Sequence, residues 1–159
     1  MAMKKIHIIV TIISVILAGC SFISCSGNND DEVETTVTIN DLPVQARDFL
    51  NKFYNGVKVA KIEKDNDKGI VVFEVELENG HEIVFNEEGV WQQVDAPSGE
   101  SIPSGIAPQA IVDYLNLNYQ GYGINEINLT GYGYKVELVT ELDLMFNELG
   151  QFIGFLNED

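Results

Sequence analysis

The chain predicts an α+β fold of two tandem repeats, each a helix packed on a four-stranded antiparallel sheet. Val75-Glu76-Leu77, then Glu82-Ile83-Val84-Phe85-Asn86-Glu87-Glu88-Gly89, is echoed by Val136-Glu137-Leu138, then Asp143-Leu144-Met145-Phe146-Asn147-Glu148-Leu149-Gly150. Upstream the echo continues at a slightly larger offset, with Pro43 against Pro108, Asp48-Phe49-Leu50 against Asp113-Tyr114-Leu115, and Gly56 against Gly121. A self-similar period marks a repeated supersecondary unit, here with one loop of unequal length. Each unit of about 55 residues is too small to bury an adequate core alone, so the two must pack together or share a sheet.

The first helix is expected after Asn40 or Asp41 as its cap, with Pro43 in the first turn, where a missing N–H costs nothing. Leu42, Ala46, Phe49, Leu50 and Phe53 then fall on one face, and Gly56 ends the helix. Four strands follow, near Val57–Lys64, Gly69–Glu78, His81–Asn86 and Gly89–Asp95. Val71, Phe73, Val75 and Leu77 alternate with Val72, Glu74, Glu76 and Glu78, the period of a sheet with one buried face. Asn79-Gly80 signals a tight hairpin with positive φ at both positions. The second unit repeats the plan: Ala107, Ile111, Leu115 and Tyr119 line the inner stripe of a helix ended by Gly121. Its strands are expected near Gly123–Thr130, Tyr132–Val139, Glu141–Asn147 and Gly150–Leu156. The outer sheet face, carrying Glu74, Glu76, Val84, Lys135, Glu137, Val139 and Met145, is left open.

The N-terminus gives an address. Lys4 and Lys5 precede an apolar run from Ile8 to Ala18, a signal-peptide core too short for a span of about 20 residues. Leu17-Ala18-Gly19-Cys20 looks like a bacterial lipobox, so residues 1–19 read as a lipoprotein signal and Cys20 as the lipidated residue. Cys25, in Ile23-Ser24-Cys25, is the alternative; Phe22 stands there where a branched aliphatic is usual. Residues 20–37 read as an acidic flexible tether, 38–95 as the first repeat, 96–105 as a Pro/Gly/Ser linker and 106–159 as the second repeat. Removal of Lys4 and Lys5 from nine basic residues leaves seven against 25 acidic ones. A net charge near −18 repels nucleic acid and anionic headgroups, so the membrane is expected to be met through the N-terminal lipid only.

A lipobox, an acidic tether, and two units of Leu-Pro helix, Val-Glu-Leu strand and Phe-Asn-Glu-x-Gly hairpin together resemble the PepSY-like lipoproteins, whose fold is similar to the β-lactamase inhibitor protein. The matching stretches, Leu42–Trp91 and Ala107–Phe152, cover nearly all of the mature chain. The resemblance implies a tandem module whose two repeats form one continuous curved sheet that grips a partner, with restraint of an envelope peptidase as one expectation.

Catalytic chemistry finds little purchase. His7 leaves with the signal, His81 is read as a solvated turn residue, and no cysteine remains in the folded part to act as a nucleophile. Asp65-Asn66-Asp67-Lys68-Gly69 resembles the start of a calcium loop, but Gly69 and Ile70 stand where that loop needs a ligand and then a glycine. It reads as an ordinary turn, with Asp65 and Asp67 as minor metal candidates. Tyr122 lies in the Gly121-Tyr122-Gly123 segment, and large rigid side chains between glycines suit contact surfaces. Tyr132 and Tyr134 are read as filling the core positions of Val71 and Phe73.

The expected protein is therefore a lipid-anchored envelope protein, on the outer membrane facing periplasm or surface. It is non-enzymatic, needs no cofactor, and binds an envelope protein or peptide, with Tyr122, Met145, Ile153 and Phe155 as contact candidates. An acidic calcium-binding or matrix-type lipoprotein without a specific partner is the alternative.

Overall fold

A single apolar row crosses the molecule from strand to strand. The computed structural model describes residues 35–67 and 69–156, so Cys20, Cys25 and the expected signal lie outside the described residues. Its strands are β1 (Thr35–Thr36), β2 (Val59–Asp67), β3 (Ile70–Leu77), β4 (Glu82–Asn86), β5 (Trp91–Asp95), β6 (Ile124–Thr130), β7 (Gly133–Leu138), β8 (Asp143–Asn147) and β9 (Phe152–Phe155). They form one nine-stranded antiparallel sheet in sequential order. Ile62, Val75, Ile83, Val94, Ile127, Val136, Leu144 and Phe155 stand opposite one another across β2 to β9. The six from Val75 to Leu144 are fully buried. Period-2 alternation puts that row on one face and requires the next residues along to face the other way.

Helices α1 (Val44–Phe53) and α2 (Gln109–Asn118) cover the apolar face. Phe49 of α1 meets Phe85 of β4 edge-on at 5.5 Å, and Tyr114 of α2 meets Phe146 of β8 edge-on at 5.4 Å. Such edge contacts add to the area term of burying Phe85 and Phe146, both wholly inaccessible to water. The order of one helix and four strands thus occurs twice, as β2–β5 after α1 and β6–β9 after α2.

The Phe-Asn-x-x-Gly hairpins bind each helix to its sheet. Asn86 Oδ1 accepts hydrogen bonds from the N–H groups of Glu88 and Val90 at 3.1 and 2.9 Å. Asn147 Oδ1 accepts from Leu149 and Gln151 at 3.0 and 2.9 Å. The side chain closes the turn by satisfying backbone donors that the hairpin leaves over. Gly89 and Gly150 then sit at φ +85° and +73° against the first turn of the helix. A Cβ on Gly89 would stand 2.8 Å from both the Ala46 amide nitrogen and Pro43 Cβ.

Several boundaries differ from expectation for local reasons. The end of the expected tether is paired: Thr35–Thr36 lie against Glu63 and Lys64, and Val37 N–H donates to Ile62 O at 3.0 Å. Ahead of α1, Thr38 rather than Asn40 or Asp41 caps a 3-10 turn, its hydroxyl and its N–H donating to Asp41 Oδ2 at 2.7 and 2.8 Å, and Pro43 is itself the cap of α1. Only Gly80 of the Asn79-Gly80 hairpin has positive φ, because three residues rather than two separate Leu77 from His81. Glu141 holds the matching place in the β7–β8 hairpin at φ +64°, a conformation costing a non-glycine residue roughly 1–2 kcal/mol.

His81 is buried rather than solvated. Its Nδ1 shares a 3.2 Å hydrogen bond with the Tyr54 hydroxyl, and the two rings meet edge-on at 5.3 Å. Burial lowers the His81 pKa and keeps the imidazole neutral. Tyr134 packs on the core as expected. Tyr132 is instead 77 % exposed at the β6–β7 turn, where β7 begins one residue later and its side chain has no sheet face to join.

Gly89→Ala adds a strained φ and a backbone clash, and is expected to cost about 2 kcal/mol or more. That corresponds to a fall in Tm of roughly 8 °C or more for a domain of this size. Gly56→Ala shares the positive φ but meets open space, so its fall should be about half as large. Circular-dichroism melts of both variants check the hairpin–helix contact; equal shifts would refute it.

Candidate functional site

Opposite the helices, one register line carries six acids in succession. Glu76, Glu82, Asp95, Glu126, Glu137 and Asp143 face one another in turn across β3 to β8. With strands about 4.8 Å apart, the row is roughly 24 Å long. Like charges directly opposite on neighbouring strands destabilise a sheet, so this arrangement opposes folding. The next line holds Glu74, Val84, Gln93, Asn128, Lys135, Met145 and Gly154 across β3 to β9.

Two features moderate the repulsion. Lys135 Nζ lies 2.8 Å from Asp143 Oδ2. Burial works against the Lys135 ammonium, yet its hydrogen bond to Asp143 and the charges of Asp143, Glu126 and Glu137 raise its pKa. Glu126 is buried at the centre of the row, where Gln93 Nε2 and Asn128 Nδ2 both donate to its Oε1 at 2.7 and 2.9 Å. Spending both amides this way leaves Gln93 Oε1 and Asn128 Oδ1 buried without a donor. Burial is the main cause of the raised Glu126 pKa, with the Asn128 hydrogen bond opposing it and Asp95 reinforcing it. Glu137 is raised too, by burial and then by Glu126 and Asp143.

A cavity of about 230 Å³ opens beside Glu126, and its wall includes Glu74, Glu82, Gln93, Asp95, Glu137 and Glu141. Among the described residues, no lysine, arginine or histidine lines it. Its far side is Ser98-Gly99 of the linker, which the buried Asn125 holds in place. Asn125 is the extra residue of a bulge in β6, and its Nδ2 lies 3.1, 3.0 and 2.9 Å from the carbonyls of Ala96, Pro97 and Glu100. The bulge turns a side chain out of the ladder and onto the linker.

The contact candidates read from sequence are not gathered into one patch. Met145 lies on the acidic face, opposite Lys135 and Gly154. Phe155 belongs to the helix side of the edge strand β9, with its ring 5.2 Å from Phe152, which stacks on Tyr114 of α2. Ile153 is the exposed extra residue of a bulge in β9, and Tyr122 is exposed just beyond α2. Asp65 and Asp67 belong to the β2–β3 hairpin, opposite Val72 and Ile70, and Asn66 Oδ1 accepts from the Gly69 N–H at 3.2 Å. Among the described residues no group of three or more His, Cys, Asp or Glu converges on a metal-sized point. Sequence reasoning missed Gln93, Asn125, Glu126 and Asn128. Their signal was a strand, Asn125-Glu126-Ile127-Asn128, with polar residues at positions that become buried.

Both carboxyls hold their protons more tightly folded than unfolded. Between the ordinary value of 4.5 and their raised folded values the native chain binds more protons, so stability falls as pH rises through that window. Glu126→Gln keeps the acceptor oxygen and removes the buried charge. It should raise Tm at pH 7.5, with the gain over wild type vanishing near pH 4.5; a gain that is absent or pH-independent would show that Glu126 is not the group responsible.

Known proteins place this geometry in context. The family model described as "Putative beta-lactamase-inhibitor-like, PepSY-like" matches residues 71–154. The chain is similar to a "putative periplasmic protein of unknown function" from Bacteroides vulgatus, with 31 % identity over 79 % of this chain and 100 % of that one, at a TM-score of 0.74. It is also similar to a "putative calcium-regulated periplasmic protein" from Bacteroides thetaiotaomicron, with 27 % identity over 78 % of this chain and 97 % of that one, at a TM-score of 0.73. A Bacteroides vulgatus protein of the DUF2874 family, 24 % identical over 82 % of this chain and 100 % of that one, shares the fold at a TM-score of 0.73. No protein with a curated description matches.

Proposed function

The chain belongs to the PepSY-like, β-lactamase-inhibitor-like family, and we propose that it is a non-enzymatic envelope protein that binds a protein or peptide through the acidic face of its sheet. The observation that carries this reading is the unbroken row from Glu76 to Asp143. Aligning like charges costs the free chain stability, and a basic partner laid across them reverses the sign of that contribution. A row roughly 24 Å long matches the reach of about seven residues of extended peptide. His81, the histidine of the folded part, is committed to Tyr54 within the core, which suits a binding role better than a catalytic one.

The structural neighbours are described as periplasmic. Leu17-Ala18-Gly19-Cys20 supports a finer placement, on the outer membrane through lipid on Cys20, or on Cys25 in its stead. The recurrence of helix and four strands supports descent from a duplicated unit. Met145 borders the acidic row and is the favoured apolar contact; Ile153 and Phe155 would extend the contact only around the β9 edge, and Tyr122 only beyond the end of α2. A calcium-binding role is the second reading. The neighbour described as calcium-regulated favours it, as does a cavity walled by carboxylate and amide groups.

Residues 26–159, which contain the whole described fold, can be immobilised and exposed to envelope extract with calcium or with chelator. One partner should be retained in both conditions, at least tenfold less at 300 mM than at 50 mM salt, and lost on the triple variant Glu76→Gln, Glu82→Gln, Glu137→Gln. Equal retention by the triple variant would remove the acidic face from the interface. Retention, or a melting shift, that requires calcium would establish the second reading.

A further inference from the structure

We infer that the cavity beside Glu126 is a receptor for the guanidinium group of an arginine side chain presented by the partner. This rests on the acidic-face reading and names the chemistry at its centre. Gln93 and Asn128 are each more than nine-tenths buried, and both point their amide nitrogens at Glu126 Oε1. Their carbonyl oxygens, Gln93 Oε1 and Asn128 Oδ1, are left without donors, as is Asp143 Oδ1. A buried acceptor with no donor costs about 1–3 kcal/mol, so a site with two of them on the amides that hold the Glu126 carboxylate lacks a group that donates. Gln93 and Glu126 line the cavity while Asn128 and Asp143 lie behind it, so the deficit reaches the wall at Gln93.

The missing group must donate several hydrogen bonds, carry positive charge and fit a space of about 230 Å³. A bare metal ion meets the charge requirement but needs ligand oxygens converging within about 2.5 Å of one point, and the described acids do not converge. A guanidinium presents five N–H donors spread over a plane and tolerates burial better than an ammonium, because it is more weakly hydrated. Oxygens distributed between two strands therefore suit it. Glu126 supplies the opposite charge, and among the described residues no cation lines the cavity, the nearby Lys135 being engaged by Asp143. Burial also raises the pKa of Glu126, so an arriving cation favours its ionised form and binds more tightly as pH rises through that titration.

The test uses residues 26–159 and three blocked tripeptides, Gly-X-Gly with X as arginine, lysine or citrulline, titrated by ¹H–¹⁵N NMR in chelator. Citrulline keeps the shape of arginine and loses its charge. The arginine peptide should shift the Gln93, Glu126 and Asn128 resonances saturably, at least fivefold more tightly than lysine, with no saturation by citrulline. Glu126→Gln, which keeps the acceptor oxygen of both amide hydrogen bonds, should weaken arginine binding at least tenfold. Absence of saturable shifts, equal binding of citrulline or lysine, an unchanged affinity in Glu126→Gln, or binding that appears only when calcium replaces chelator would each overturn the assignment. The two readings fail separately. If envelope partner capture survives Glu126→Gln but not the triple variant, the acidic face stands and the arginine pocket falls. If the arginine peptide binds while the triple variant still captures the partner, the pocket stands and the acidic row is not the interface.

Discussion

The contact between each Phe-Asn-x-x-Gly hairpin and the first turn of its helix is the constraint on which the remaining structure depends. Phe85 and Phe146 are driven inside by their apolar area and meet an aromatic ring from the helix. Asn86 and Asn147 close the turns from within, which lets Gly89 and Gly150 press against helix backbone or side chain. These contacts fix the height of each helix above the sheet. They also decide which residues of β4 and β8 face inward, and antiparallel pairing transmits that choice to every neighbouring strand.

The acidic row is a consequence of the same register. Once Ile83, Val94, Ile127, Val136 and Leu144 align inside, the residues beside them must align outside. The outward residues could have been small and neutral. They are carboxylates, and the most buried of them receives two amide hydrogen bonds whose cost is two carbonyl oxygens left without donors. Stability is given up at the centre of the outer face, while the inner face is packed without polar interruption apart from the Tyr54–His81 pair at its margin. Such a division supports the proposed binding role of the outer face.

Much of the architecture was legible because it is local. Both helices were visible from 3.6-residue spacing, and β2 to β9 from alternation or a turn signal, because these patterns depend only on neighbours in the chain. Errors clustered where a distant group intervened. His81 reads as a turn residue until Tyr54, from the end of α1, folds over it. Tyr132 loses its core position because β7 starts one residue later than the pattern implied. Thr35 and Thr36 look like tether until β2 is found to run long enough to pair with them.

By itself the sequence determined the α+β class, the recurrence of a helix and four strands, and the alternation that separates apolar from acidic faces. Hydrophobic periodicity and turn chemistry are properties of short segments and need no knowledge of what they pack against. Only the tertiary structure decided that β5 pairs with β6, joining Asp95 to Glu126 and making two half-rows into one. It alone bent β6 at Asn125, set the linker against the cavity, and buried Glu126 between Gln93 and Asn128. Those outcomes depend on register between segments some thirty residues apart, where a shift of one residue would turn every acid to the opposite face.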